Sequence, residues 1–260
     1  MSTSSSFLDQ PFAAMAHRGG AAYEPNLGQE NTLAAFRQAV DLGYQYIETD
    51  VRASRDAKAV IFHDADLGRL TGQPGPVQQR SWAELSGLKI SGQPIASLDD
   101  ALEEFPRTRF NIDLKSDQVV EPVIRSLARH QAGRRVLVTS FSPVRLSRFR
   151  RLAAGLATTG AASLGVAWTA FGPGWPAGWA GSCSALQVPL ALPLGGFRLP
   201  VFSARLLRQA HRAGQRVHVW TIDDPATMDQ LIDAGADGIV TDRPDLLKQV
   251  LERRGMWERP

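Results

Sequence analysis

The sequence predicts an α/β protein, a TIM (β/α)8 barrel with a small insertion after the second strand. Three observations lead there. Eight strand-like runs, starting near Ala13, Tyr46, Arg109, Val136, Leu156, Ala185, Arg216 and Asp237, are separated mostly by helical runs, and such alternation argues a parallel sheet. Eight units argue closure of that sheet into a barrel. An open doubly wound sheet would place a glycine-rich phosphate loop after its first strand, and His17-Arg18-Gly19-Gly20 is not one. With 260 residues, 43% of them hydrophobic, the chain is read as a single domain over 1–260, with the insertion at about 65–95.

The first strand signal, residues 12–16, runs into His17 and Arg18, and two glycines then free the backbone to turn sharply. A polar loop reaches Glu30. Asn31 and Thr32 are suited to cap a helix, because Leu33, Ala34, Phe36, Ala39 and Val40 recur at helical spacing up to Gly43. Residues 44–64 read as two short strands: Ile47, Thr49 and Val51 alternate with Glu48, Asp50 and Arg52, and the β-rich run Val60, Ile61, Phe62 follows a turn. Centring that turn between Asp56 and Ala57 sets His63 directly across from Asp50, with Cβ atoms about 5 Å apart.

Residues 65–94 carry polar and Gly/Pro-rich segments around Trp82 and read as an excursion from the main fold. A helix from Ser97 to Phe105 precedes the strand 109–115, which puts Asn111, Asp113 and Lys115 on one face and Phe110, Ile112 and Leu114 on the other. The second half repeats the theme. Helices are expected over 121–130, 143–153, 203–213 and 225–234, with a last one to Arg254; strands are expected over 136–140, 156–159, 185–188, 216–220 and 238–241. Residues 163–184 hold Trp168, Trp175 and Trp179 amid glycines and prolines and read as an irregular loop.

Lys and Arg total 29 against 26 acids, a net charge of +3, and the adjacent basic pairs are too short to form a nucleic-acid stripe. Cys183 is alone, so no intramolecular disulfide is possible. The Ser-rich start lacks an apolar h-region, and no run approaches the roughly 18 apolar residues of a membrane span. A cytoplasmic protein with no integral membrane association is expected.

Catalytic groups of a TIM barrel gather at the C-terminal ends of its strands. His17 and Arg18 end the first strand, Glu48 and Asp50 the second, Asp113 and Lys115 the third and Trp220 the seventh, while Asp242 follows the eighth. Three carboxylates at adjacent strand ends suit one hard divalent cation, Mg²⁺ or Ca²⁺. No His/Cys cluster with zinc spacing competes for that reading. Arg18 and Lys115 beside such an ion make the electrostatic clamp a phosphoryl group requires, and His17 and His63 can stand as general acid and base. His130 and His211, at a helix end and within a helix, read as surface residues.

The blocks His17-Arg18-Gly19, Glu30-Asn31-Thr32-Leu33, Ile47-Glu48-Thr49-Asp50-Val51, Phe62-His63-Asp64, Asn111-Ile112-Asp113-Leu114-Lys115 and Val219-Trp220-Thr221 resemble the signature of the glycerophosphodiester phosphodiesterase family. The resemblance implies hydrolysis of glycerophosphodiesters to glycerol 3-phosphate and an alcohol. It implies His17 and His63 as the acid/base pair, Glu48, Asp50 and Asp113 as metal ligands, Arg18 and Lys115 as phosphate contacts, and Glu30 and Trp220 as further substrate contacts. Three positions depart from the pattern: Gln29 replaces a proline, Asp113 stands where many members have glutamate, and Ala57 takes the place of a turn glycine. That last change points to a turn wider than two residues. Two other readings stay open, a lysophospholipid phosphodiesterase with the Trp-rich loop as an apolar rim, and a non-catalytic phosphodiester-binding protein.

Overall fold

The computed structural model describes residues 6–153, 155–161, 183–194 and 196–257. Strand β1 (Ala13–His17) leads through a loop to α1 (Leu33–Asp41), then to β2 (Tyr46–Ala53) and its antiparallel return β3 (Ala59–Ile61). An insertion follows, made of α2 (Gly68–Thr71), α3 (Trp82–Ser86) and the hairpin β4 (Lys89–Ile90) and β5 (Gln93–Pro94). The main fold resumes with α4 (Leu98–Glu104), β6 (Arg109–Leu114), α5 (Val120–Arg129), β7 (Val136–Thr139), α6 (Pro143–Ala153) and β8 (Thr158–Ala161). Strand β9 (Ala185–Pro189) runs into the hairpin β10 (Ala191–Leu194) and β11 (Phe197–Pro200), and α7 (Ala204–Arg212), β12 (Arg216–Trp220), α8 (Pro225–Asp233), β13 (Gly238–Thr241) and α9 (Pro244–Arg253) complete the order.

Strands β1, β2, β6, β7, β8, β9, β12 and β13 pair in parallel with their neighbours, and β13 pairs back onto β1. The ring is therefore a closed TIM barrel. Each strand alternates its faces. On β2 and β6 the outward residues Ile47, Val51, Phe110, Ile112 and Leu114 are buried against helix residues such as Phe36, Leu98 and Val123. The inward set Ala13, Met15, Tyr46, Leu137, Ala185 and Val240 fills the barrel together with Phe7. Phe7 closes the N-terminal end: its N–H donates to Arg134 O at 2.9 Å, its carbonyl accepts from Tyr46 Oη at 2.9 Å, and the two rings meet edge to face at 5.1 Å.

Helix starts follow the capping chemistry of the sequence. Thr32 accepts from Ala35 N, and Ser97 with Asp100 forms a reciprocal capping box. Thr32 alone is the cap of α1; Asn31 has a left-handed φ of 59° and serves another purpose. Gly19 is required where it stands, since φ is 87° and a Cβ would lie 2.8 Å from that of Ala35. The insertion packs Leu67, Val77, Leu85, Ile90 and Ile95 into a small core of its own against Val60 and Phe62.

Three expectations need correction. The hairpin register pairs Val51 with Ile61, which carries Asp50 opposite Phe62 and not His63. The turn is five residues, 54–58, and is closed by Ser54 N to Lys58 O with Ala57 at φ 59°, so its centre falls on Asp56. The fifth barrel strand begins at Thr158, two residues beyond the expected start. The hairpin of β10 and β11 was not anticipated, because Pro193 and Pro200 interrupt any alternating signal. The Trp168 to Trp179 stretch lies outside the described residues. Among the described residues no helix is long and apolar enough to cross a membrane.

Candidate active site

The expected site residues converge at the C-terminal end of the barrel. His17, Arg18, Glu48, Asp50, His63, Asp113, Lys115 and Trp220 line one cleft of about 160 Å³, joined by Thr139, Phe141, Gln187, Thr221 and Val240. Parallel register explains the gathering: His17 is level with Glu48, and Asp50 with Asp113. His63 arrives from β3, which returns antiparallel along β2, so the corrected register still delivers it to the same mouth.

Each cleft histidine has its Nδ1 engaged by an aspartate. His17 Nδ1 lies 2.7 Å from Asp242 Oδ1, and His63 Nδ1 lies 2.7 Å from Asp64 Oδ1. A carboxylate at Nδ1 holds the proton there and leaves Nε2 as the exchanging nitrogen. Burial lowers the pKa of His17, but the carboxylates of Glu48 and Asp242 outweigh it and raise the net value. His17 Nε2 stands 3.7 Å from Glu48 Oε2.

The acids are strongly differentiated. Burial, reinforced by the neighbouring Asp50 charge, pushes Glu48 up to about 7. Burial also raises Asp113. Asp50 goes the other way, to about 2, because Lys115 and Arg18 overcome its desolvation. Lys115 Nζ lies 2.9 Å from Asp50 Oδ1 and 2.7 Å from Asp113 Oδ2, and 5.5 Å over the Phe141 ring. Phe141 and Trp220 meet edge to face at 5.4 Å, making an aromatic wall. Asn31 donates from Nδ2 to Asp50 Oδ2 at 2.8 Å, and its Oδ1 accepts from Thr49 Oγ1 at 2.8 Å. Its left-handed backbone thus serves to orient a cleft carboxylate.

Among the described residues no group of three His, Cys, Asp or Glu side chains is already drawn together as a cation cage. The donor set nevertheless fits a hard divalent ion. Asp113 Oδ1 is buried without a hydrogen-bond partner, Glu48 is held far above its ordinary value, and three carboxylates face the two permanent cations Arg18 and Lys115. Glu30 is not among the cleft-lining residues; it accepts from Arg18 Nη1 at 2.9 Å. Arg18 Nε lies 3.1 Å from Asp50 Oδ2 without hydrogen-bond geometry, so a buried donor is left for a further acceptor. His130 and His211 lie outside the cleft, engaged with Asp99 at 3.0 Å and Asp237 at 2.7 Å.

Residues 17–246 match the model of the glycerophosphoryl diester phosphodiesterase family. The chain belongs to that family. It is an enzyme of this class, as its strand-end residues led us to expect. It is 40% identical over 254 residues to probable glycerophosphodiester phosphodiesterase 2 of Mycobacterium tuberculosis, covering 94% of this chain and 92% of that protein. Its fold is similar to a putative glycerophosphoryl diester phosphodiesterase of Silicibacter pomeroyi, with a TM-score of 0.79, 21% identity and 96% of each chain covered. It is also similar in fold to an Oleispira antarctica phosphodiesterase in complex with the product sn-glycerol-3-phosphate, with a TM-score of 0.76, 23% identity and 92% of this chain and 96% of that one covered.

The residues that sequence reasoning missed are mostly partners of the expected ones. Asp64 was visible only as the neighbour of His63, and Asp242 as a polar residue after the last strand. Phe141 had one usable signal, its place just beyond the end of β7.

Proposed function

We propose that the chain hydrolyses glycerophosphodiesters to glycerol 3-phosphate and an alcohol, in two steps through a cyclic phosphate. The observation that carries the reading is the pair of histidines on one cleft, each with Nδ1 held by an aspartate and Nε2 left to exchange a proton. One takes the proton of the glycerol hydroxyl as its oxygen attacks phosphorus, and the other gives a proton to the departing alcohol oxygen. Water then adds to phosphorus and opens the ring, with the two roles exchanged. Arg18, through its unsatisfied Nε, and Lys115 offer donors to the phosphate oxygens. A Mg²⁺ or Ca²⁺ ion held by Glu48, Asp50 and Asp113 would supply charge that polarises a phosphate oxygen and acidifies the adjacent hydroxyl. The aromatic wall of Phe141 and Trp220 gives the non-reacting carbon atoms of the substrate an apolar face. A cytoplasmic setting is part of the proposal; the single cysteine is compatible with a reducing compartment, and the substrate is water-soluble.

The deciding experiment is release of glycerol 3-phosphate from glycerophosphocholine, with and without chelator. Activity lost in excess chelator and restored by Mg²⁺ or Ca²⁺ is expected, and Glu48→Gln should weaken cation binding. Undiminished turnover in chelator would refute the metal part; no release from any glycerophosphodiester would refute the whole.

A second reading, action on lysophospholipids, draws support from apolar side chains near the strand tops. Phe197 on the hairpin after β9 is 81% exposed and Val144 after β7 is 79% exposed. Turnover rising with acyl chain length would favour it.

A further inference from the structure

We propose that Arg69, carried by the insertion, is a positioning residue that fixes both His63 and Arg18 through two carboxylates. The inference rests on the functional reading above. Arg69 lies in α2, yet its guanidinium is spent entirely on acids from other segments. Nη1 and Nη2 donate to Glu30 Oε2 and Oε1 at 2.8 and 2.7 Å, and Nε donates to Asp64 Oδ2 at 2.5 Å. Each acid uses an oxygen to hold a cleft residue. Glu30 Oε1 accepts from Arg18 Nη1 at 2.9 Å, and Asp64 Oδ1 meets His63 Nδ1 at 2.7 Å. One planar fork therefore sets the position of a phosphate-binding cation and of a proton-transferring ring.

The backbone shows why such a clamp is needed on this side only. The histidine at the end of β1 belongs to a barrel strand, and its partner Asp242 has its N–H fixed by Asp223 Oδ1 at 2.8 Å. His63 and Asp64 lie beyond the end of β3, and Glu30 lies in the loop before α1, so none of the three is held by the barrel's ladder. The Asp64 side chain is 26% exposed, and water competes for it. Arg69 itself is well presented. Leu67 before it is fully buried, and the turn is closed by Gly72 N to Gly68 O and by Thr71 Oγ1 to Leu67 O. Without Arg69, Glu30 keeps one partner and can draw Arg18 back from the cleft, while the His63 ring loses the anchored carboxylate that fixes its tautomer.

The competing account is a surface ion-pair cluster, which contributes little to stability and nothing to rate. Kinetics separate the two. Arg69→Ala should lower kcat about 10- to 100-fold, the scale of a small misplacement of reacting groups, with a few-fold rise in KM. Millimolar guanidinium should restore part of the rate, since the vacated site is open to solvent, and NaCl at equal ionic strength should not. Arg69→Lys, with one donor group in place of a fork, should recover only part of the wild-type rate. Arg55→Ala, which removes an arginine of the β2–β3 turn paired to Glu84 of the insertion at 3.3 Å, should leave the rate unchanged. Wild-type kinetics in Arg69→Ala, or a loss that follows unfolding and is not relieved by guanidinium, would overturn the proposal. If the wild-type chain proves inactive on every glycerophosphodiester, the functional reading fails, and the clamp is read by ¹⁵N NMR of the His63 ring. The Nδ1–H tautomer should be present in wild type and in Arg55→Ala and lost in Arg69→Ala; an unchanged ring would refute the clamp.

Discussion

His218 faces the barrel interior from β12 and is 1% exposed, with Nδ1 3.4 Å from Gln187 Nε2 and its ring edge so close to Gly238 that a Cβ there would stand 2.9 Å away. Burial outweighs the pull of Asp237 and keeps the ring neutral, its pKa lowered from 6.5 to about 4. An unfolded chain takes up that proton near 6.5. Between the two values the unfolded state binds more protons, so stability falls as pH falls. The His218 contribution is complete above 6.5 and lost by about 4; at about 1.36 kcal/mol per pH unit it amounts to about 3 kcal/mol. Glu48, raised from 4.5 to about 7, acts with the opposite sign over much of the same range: its contribution is complete below 4.5 and lost as pH rises through about 7. The wild-type curve alone mixes the two, and a difference is needed. Urea unfolding of wild type and His218→Gln, both in excess chelator, should show the wild-type chain losing about 3 kcal/mol relative to the variant between about pH 7 and pH 4. A difference that stays constant over that range would mean that His218 is protonated inside the folded barrel at its ordinary pKa, and the argument from burial would fail.

Lys115→Met should lower kcat/KM by about 10²-fold or more, the scale of a lost electrostatic donor. It also strips Asp50 and Asp113 of a shared buried cation, so Tm should drop in chelator and recover on adding Mg²⁺ or Ca²⁺; near-wild-type kinetics with an unmoved Tm would make Lys115 a bystander. His63→Ala should cut turnover about 10²- to 10⁴-fold while cation affinity stays within a few-fold, and the loss should shrink for a nitrophenyl leaving group, which departs with little protonation. Equal loss for all leaving groups would make His63 the base that activates the hydroxyl, and abolished cation binding would make it a ligand.

The barrel was legible because its strands write their two faces into the chain. Glu48 and Asp50 alternate with Ile47, Thr49 and Val51, and Asn111 and Asp113 with Phe110 and Ile112, so both the strands and the residues at their ends could be named in advance. Register was not legible. A loop of three residues, 55–57, with Ala57 in the left-handed region centres the turn on Asp56, where a two-residue loop would centre it between Asp56 and Ala57, and no alternation pattern reports on that. Supporting partners were hidden for a different reason: the aspartate that holds His17 is 225 residues away, and only closure of the ring brings them together. Glu30 was read as a substrate contact from its motif; in the structure it accepts from Arg18 and from Arg69, and no periodicity singles out Arg69.

Ring closure has a consequence for how the chain is made. Strand β1 pairs with β2 on one side and with β13 on the other, and Tyr44 Oη donates to Pro244 O at 2.8 Å. During synthesis β1 therefore leaves the ribosome with one flank that cannot be satisfied until residues 238–241 emerge, and for that interval it presents a bare edge to other nascent chains. Phe7, whose N–H bonds to Arg134, cannot dock until the chain has been made to that point. Made well before Arg134, it waits for that residue to emerge before it can seal the floor of the barrel.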